Sequence, residues 1–168
     1  FNTSQVTDLT SMFCYNSRLS AIDVTNFNTS QVTAMEEMFK GCSSLASLDL
    51  SSFDMPKCSY VRDMFYEDTS LGQIKVGDGF NFCGAGFDQL TGLPEGYWKS
   101  ADTGGAYTPG EIANYRNRTA DTYTKIIFMH RLYNPYSGEH FYTANDSEKD
   151  NLVSEGWIYE QYGWTAPG

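Results

Sequence analysis

Long apolar runs are missing from this sequence: the longest, residues 126–129, is a fraction of the roughly 20 residues a membrane-spanning helix needs. No membrane insertion is expected within the chain. No basic and apolar leader stands at its start, so any export signal is expected outside it. Positive charge is scarce, with 11 Lys and Arg against 21 Asp and Glu and a net charge of -10. Without a basic cluster to follow a phosphate backbone, nucleic acid is not an expected partner. Histidine is scarcer still, at His130 and His140. With no HExxH, nucleophile elbow or P-loop, the expected function is not enzymatic; a pair of carboxylates built without a motif is the remaining route to catalysis. The CGAGF stretch at 83–87 lacks the strand, helix and lysine of a phosphate loop. The four cysteines, Cys14, Cys42, Cys58 and Cys83, lack the close spacing of a zinc knuckle or redox pair, so no metal and no cofactor is expected. They read as small buried thiols, with a Cys58 to Cys83 disulfide as the less favoured alternative.

What the chain has instead is aromatic residues and repetition. Twelve Tyr, 11 Phe and three Trp accompany 15 Gly. FNTSQVTDLTSMF at residue 1 returns as FNTSQVTAMEEMF at residue 27, and a diverged third copy starts at Phe53. The step is 26 residues, and it aligns apolar columns: Val6, Val32 and Cys58; Leu9, Met35 and Val61; Met12, Met38 and Met64; Phe13, Phe39 and Phe65; Leu19, Leu45 and Leu71; Ile22, Leu48 and Ile74; Val24, Leu50 and Val76. Val32, Met35, Met38 and Phe39 stand at i, i+3, i+6 and i+7, which predicts a helix over 31–39. Asn2, Asn28 and Asp54 fall at its N-cap, Gln5 and Gln31 complete capping boxes, and Pro56 suits a first turn. LASLDL at 45–50 and LSAIDV at 19–24 follow L-x-x-L-x-L and predict a short strand. The expected fold class is therefore an α/β repeat: a leucine-rich-repeat-like solenoid with one helix and one short strand per 26 residues. In the column of Asn16, Cys42 and Asp68, a side chain is expected to satisfy turn backbone groups.

Three regions are expected: a three-copy solenoid over 1–79, a capping and linker segment over 80–124, and a small α+β binding repeat over 125–168 that continues past this chain. Phe80, Phe82, Leu93, Tyr97 and Trp98 are expected to cover the last copy. TPGE at 108–111 predicts a helix running to about Tyr115. In the last region 131–133 predicts a strand, NPYSG a turn, and 140–143 a second strand. NDSE at 145–148 opens a helix over Leu152 and Val153 that Gly156 stops, and WIYEQYGW returns as a strand. The abrupt start at Phe1 leads to the expectation of further copies upstream.

MFKGCSSLASLDLSSFD and its recurrences resemble the repeat of BspA-like leucine-rich-repeat surface proteins, in the variant common in mycoplasma lipoproteins. That resemblance implies an exported surface protein without enzymatic activity. LYNP-SG-HFYT at 132–143 and GW-YE--GW at 156–164 resemble a repeat of unknown function that ends many secreted Gram-positive proteins. It implies binding to carbohydrate or the cell wall.

Sugars stack their C–H faces on aromatic rings and bind their hydroxyls to donors and acceptors. Tyr133, Asn134, Glu139, His140, Tyr142 and Trp164 supply both kinds and are the candidate ligand-binding residues. For Glu139, His140 and Trp164 the alternative, core packing or turn hydrogen bonding, stays open. Phe141 and Trp157 read as core. The expected partner is a glycan or cell-wall polysaccharide, the expected function an adhesion module on a stalk. The alternative is recognition of a host surface protein along the repeats, whose exposed strand positions, Ser20, Asp23, Ser47, Asp49, Gln73 and Lys75 among them, carry no aromatic hot spot.

Overall fold

The computed structural model describes residues 2–85 and 90–167. Phe1, and the Gly86 and Phe87 of the CGAGF stretch, lie outside the described residues. The chain divides into two compact units, Phe1–Lys125 and Ile126–Gly168. The strands are β1 (Ser47–Leu50), β2 (Gln73–Val76), β3 (Tyr97–Ser100), β4 (Ala106–Tyr107), β5 (Asp121–Tyr133), β6 (His140–Thr143) and β7 (Ile158–Pro167). The helices are α1 (Pro109–Tyr115) and α2 (Asp146–Ser154). Among the described residues the strands pair in the order β1-β2-β5-β3-β4, a mixed arrangement, and β6 and β7 pair with β5.

This overturns the expected α/β leucine-rich-repeat-like solenoid. Among the described residues both helices lie outside the repeats, residues 31–39 are turns and bends beside an isolated bridge at Ala34, and residues 19–24 form no strand. The physical reason lies in where the N–H groups go. The N–H groups of Leu9, Ser11, Phe13 and Tyr15 donate to the carbonyls of Ala34, Glu36, Met38 and Lys40, and those of Met35, Glu37, Phe39 and Gly41 donate to Tyr60, Arg62, Met64 and Tyr66. Alternate N–H groups are thus spent on the next copy. The ones between, such as Met38, Lys40 and Cys42, fold back three residues to Met35, Glu37 and Phe39. The N–H groups of Met35, Glu37, Met38 and Phe39 are thus not available to an i to i-4 ladder.

The backbone angles agree. Ser11, Tyr15, Glu37, Gly41, Asp63 and Glu67 all have φ between 56° and 72°. Each is the third residue of a turn that begins at Leu9, Phe13, Met35, Phe39, Val61 or Phe65, where a type II turn requires positive φ. Such turns recur every four residues and place apolar side chains at the spacing of a helix face. The expected N-caps are Asx turns instead: Asn2 and Asn28 accept the N–H of Ser4 and Ser30, two residues on.

Inside the turns, aromatic rings stack along the columns. Phe13 and Phe39 lie 5.4 Å apart, Phe39 and Phe65 6.1 Å, and Phe65 and Phe80 6.4 Å. The line turns edge-on through Phe82 to Tyr123 of β5. Phe80, Phe82, Leu93 and Trp98 are buried, while Tyr97 is exposed. β1 and β2 pair in parallel at the 26-residue step, Ser47 opposite Gln73, and β2 pairs antiparallel with the start of β5, Ile74 opposite Tyr123. α1 carries the capping box of Thr108 and Glu111.

Asp68 performs the hydrogen-bonding role of its column at a cost. Its side chain is fully buried, Oδ1 accepts the Cys42 N–H at 2.8 Å, and Oδ2 has no partner. Burial pushes its carboxyl up to about 7. The folded chain therefore holds this proton more tightly than the unfolded chain, so the group's stabilising contribution is full below about pH 4. It is lost as pH rises through about 7. Asp68→Asn keeps an acceptor for Cys42 and removes the charge. It is expected to add roughly 1–3 kcal/mol of stability at pH 8 and little at pH 4, read from urea unfolding at the two pH values. Glu67→Gly, which relieves a left-handed residue in a turn, is expected to raise stability by about 0.5–1 kcal/mol, whereas Glu67→Val should lower it. A matched set of urea midpoints checks the pair.

Candidate binding face of the C-terminal unit

From Ile126 onward β5 is the central strand of a three-stranded antiparallel arrangement, with β6 on one side and β7 on the other. The β5 to β6 hairpin is closed by Asn134, whose N–H donates to the Glu139 carbonyl and whose Oδ1 accepts the N–H groups of Tyr136 and Ser137. α2 starts at Asn145, which caps the N–H of Glu148. Ladder partners share a face. His130, Leu132, Phe141, Thr143, Tyr159 and Tyr162 therefore lie on one face, and Met129, Arg131, Tyr133, His140, Tyr142, Ile158 and Trp164 on the other.

α2 packs on part of the first face, where Phe141, Tyr159 and Tyr162 stay 37%, 36% and 54% exposed. His130, Leu132 and Thr143 are buried, His130 Nε2 lies 2.9 Å from Asp146 Oδ1, and the Lys149 ammonium sits 5.6 Å from the Tyr159 ring. His130 Nδ1 lies 3.0 Å from the Tyr159 hydroxyl. An acid, an imidazole and a hydroxyl in line resemble a nucleophile relay, but burial, with Tyr162 alongside, raises the Tyr159 phenol rather than activating it. With its proton on Nε2, His130 donates to Asp146 and accepts from Tyr159, so it clasps α2 and β7 to β5.

The second face is open. Tyr142 is 39% and Trp164 49% exposed, with ring centroids 4.7 Å apart and planes at 44°. Gly163 makes room for the pair: a Cβ there would stand 3.2 Å from Tyr142 Cε1 and 3.5 Å from Arg131 Cβ. Beside the rings lies a polar cluster. Arg131 Nε is 2.9 Å from Glu160 Oε2, close enough for charge pairing although its N–H makes no hydrogen bond there. His140 Nε2 is 3.1 Å from Glu160 Oε2 and 2.9 Å from an Arg131 Nη2, and the Tyr133 ring lies 5.2 Å from that of His140.

Four of the six residues expected from sequence, Tyr133, His140, Tyr142 and Trp164, thus share this face. Asn134 and Glu139 do not: Asn134 is committed to the turn, and Glu139 Oε2 accepts from Ser137 Oγ at 3.1 Å. Arg131, Glu160 and Gly163 were missed. Strand alternation from Tyr133 points to Arg131; Glu160 and Gly163 reach the face only through the irregular β5 to β7 register.

The Phe1–Lys125 unit holds a second polar cluster around a cleft of about 490 Å³ lined by Ser51, Lys75, Asp78, Asp102, Asp121 and Thr122. Arg116 pairs there with Asp102 at 2.9 Å and Asp121 at 3.1 Å. Burial pushes the Asp121 carboxyl up, but hydrogen bonds from Ser100, the N–H groups of Asp102 and Thr122, and Arg116 outweigh it and hold the group below its ordinary range. Asp121 is an ionised anchor for the start of β5, unsuited to act as a general acid.

Residues 1–78 match a family model described as a Mycoplasma protein of unknown function, DUF285, and residues 103–168 match one described as a domain of unknown function, DUF5648. No curated protein and no solved structure matches the chain. No helix among the described residues is long and apolar enough to cross a membrane.

Because the Tyr159 hydroxyl serves the buried His130 on the face that α2 packs against, Tyr159→Phe is expected to cost about 1 kcal/mol of stability in thermal or chemical unfolding. Any ligand affinity of the open face should be unchanged. A loss of affinity at equal stability would move Tyr159 into the site.

Proposed function

We propose that this chain is a non-enzymatic adhesion module of a cell-surface or secreted protein, and that its C-terminal unit holds carbohydrate or cell-wall polysaccharide on the open face of β6, β5 and β7. The observation that carries this reading is the exposed Tyr142 and Trp164 pair beside Arg131, His140 and Glu160. Stacking surface lies next to both donors and acceptors, which is the combination a sugar ring with its hydroxyls needs. The sequence resemblance to BspA-like surface proteins, and the match to a Mycoplasma family, support the cell-surface setting. With a net charge of -10 and no basic cluster to follow a phosphate backbone, the composition argues against a nucleic-acid partner.

One observation favours a second reading, a protein partner held by the stacked copies. Tyr15, Tyr60 and Tyr66 are exposed in the turn segments, and tyrosine is enriched where protein interfaces concentrate their affinity.

An oligosaccharide array and a pull-down on purified peptidoglycan test the first reading. Trp164→Ala and Tyr142→Ala are each expected to weaken retention tenfold or more while circular dichroism stays unchanged. Equal retention of both variants would remove this face from the function. Retention of a host protein that is lost in Tyr60→Ala and Tyr66→Ala would favour the second reading.

A further inference from the structure

The polar cluster beside the aromatic pair cannot satisfy all its contacts at once. His140 Nε2 lies within hydrogen-bond distance of two groups of opposite demand, Arg131 Nη2 at 2.9 Å and Glu160 Oε2 at 3.1 Å. A ring nitrogen either offers a lone pair or carries a proton. With its proton on Nδ1, neutral His140 accepts from Arg131, and its Nε2 lone pair faces the Glu160 carboxylate. Charged His140 donates to Glu160 and repels Arg131. These arrangements exclude each other, and whether the imidazole carries a second proton decides between them.

We infer that the open face selects saccharides carrying a carboxylate, and that protonation of His140 strengthens that selection by giving the rim a net positive charge. The inference rests on the carbohydrate reading above and deepens it. When His140 is charged, Arg131 and His140 share the single Glu160 carboxylate, so one positive charge at the rim is left unbalanced. Arg131 is the cross-strand neighbour of Tyr142, so it stands at the rim of the Tyr142 and Trp164 pair. A pyranose stacked on these rings presents a ring carboxylate to the guanidinium, whose fork fits two carboxylate oxygens at once. Arg131, His140 and Glu160 keep 42%, 33% and 34% of their side-chain surface exposed, so a ligand reaches all three.

The groups facing His140 account for this one switch. From β5 come Arg131 and the uncharged Tyr133 ring, and from β7 comes Glu160. Its chain neighbour Glu139 is engaged by Ser137. A fall in pH thus converts a neutral ion pair at the rim into a site with a net positive charge, which favours an anion. Carboxylic acids of ordinary acidity remain ionised above about pH 5, so a fall in pH to that value leaves the ligand its charge.

Calorimetric titration of the whole chain with oligogalacturonate and with its methyl ester, at pH 5.0 and 7.5, tests the inference. The acid form is expected to bind about three- to tenfold tighter at pH 5.0 than at 7.5, and the ester equally at both. Glu160→Gln should bind the acid form more tightly than the parent chain at pH 7.5, because the Arg131 charge is then unbalanced at neutral pH as well. His140→Gln should bind it weakly at both. Equal affinity for acid and ester, or a pH dependence that survives His140→Gln, overturns the inference and leaves the carbohydrate reading standing. Absence of binding by either saccharide to folded protein at both pH values sinks the inference, and with silence across the wider glycan array it sinks the carbohydrate reading too.

Discussion

The N-terminal unit depends on the donation of alternate backbone N–H groups from one 26-residue copy to the next. Leu9, Ser11, Phe13 and Tyr15 donate to the second copy, and Met35, Glu37, Phe39 and Gly41 to the third. The third copy passes the pattern on, Asp63 and Phe65 donating to Leu90 and Thr91 of the closing segment. A single copy could satisfy these groups only with water. Each copy is therefore a poor folding unit alone, and its neighbour is the partner that makes its turns stable.

Much else follows from that arrangement. Copies held in register at 26 residues bring identical positions above one another, so the phenylalanines of one column stack and the Thr3 and Thr29 hydroxyls bond to the backbone one copy on. The same register explains the tolerance for left-handed residues other than glycine. Each costs about 1–2 kcal/mol locally, and a cross-copy hydrogen bond plus a buried column offsets it. Asp68 shows the limit: its position demands an acceptor for Cys42, and the burial that comes with the position makes a carboxylate expensive.

In the C-terminal unit the two faces of one short sheet have different work. The face under α2 spends its polar groups internally, His130 linking Asp146 and Tyr159. The open face keeps aromatic surface and an Arg, His and Glu cluster available to a ligand, with Gly163 sparing the space that lets the Tyr142 ring lie close to the strands. Strand alternation makes this division: neighbouring residues such as His130 and Arg131 are sent to opposite sides, one to packing and one to recognition.

The sequence by itself determined the period, the apolar columns and the local signals whose physics is short-range. The 26-residue step, the buried Phe39, Phe65 and Leu45, the capping box of Thr108 and Glu111, and the Asn145 cap are all written in adjacent residues. Even the capping asparagines Asn2 and Asn28 were legible as side chains that bind nearby N–H groups, though they close Asx turns and not helices. Only the tertiary structure decided the rest, because it turns on partners far apart in the chain. A helix and a run of four-residue turns place Val32, Met35, Met38 and Phe39 on one side at the same spacing, and which forms depends on whether the N–H groups find acceptors four residues back or in the next copy. Likewise, Tyr133, His140, Tyr142 and Trp164 could be named from their chemistry, but that they face one way was settled by register. Glu160 joins them through its contacts with Arg131 and His140, while Asn134 and Glu139 drop out because their side chains are spent on the turn between β5 and β6.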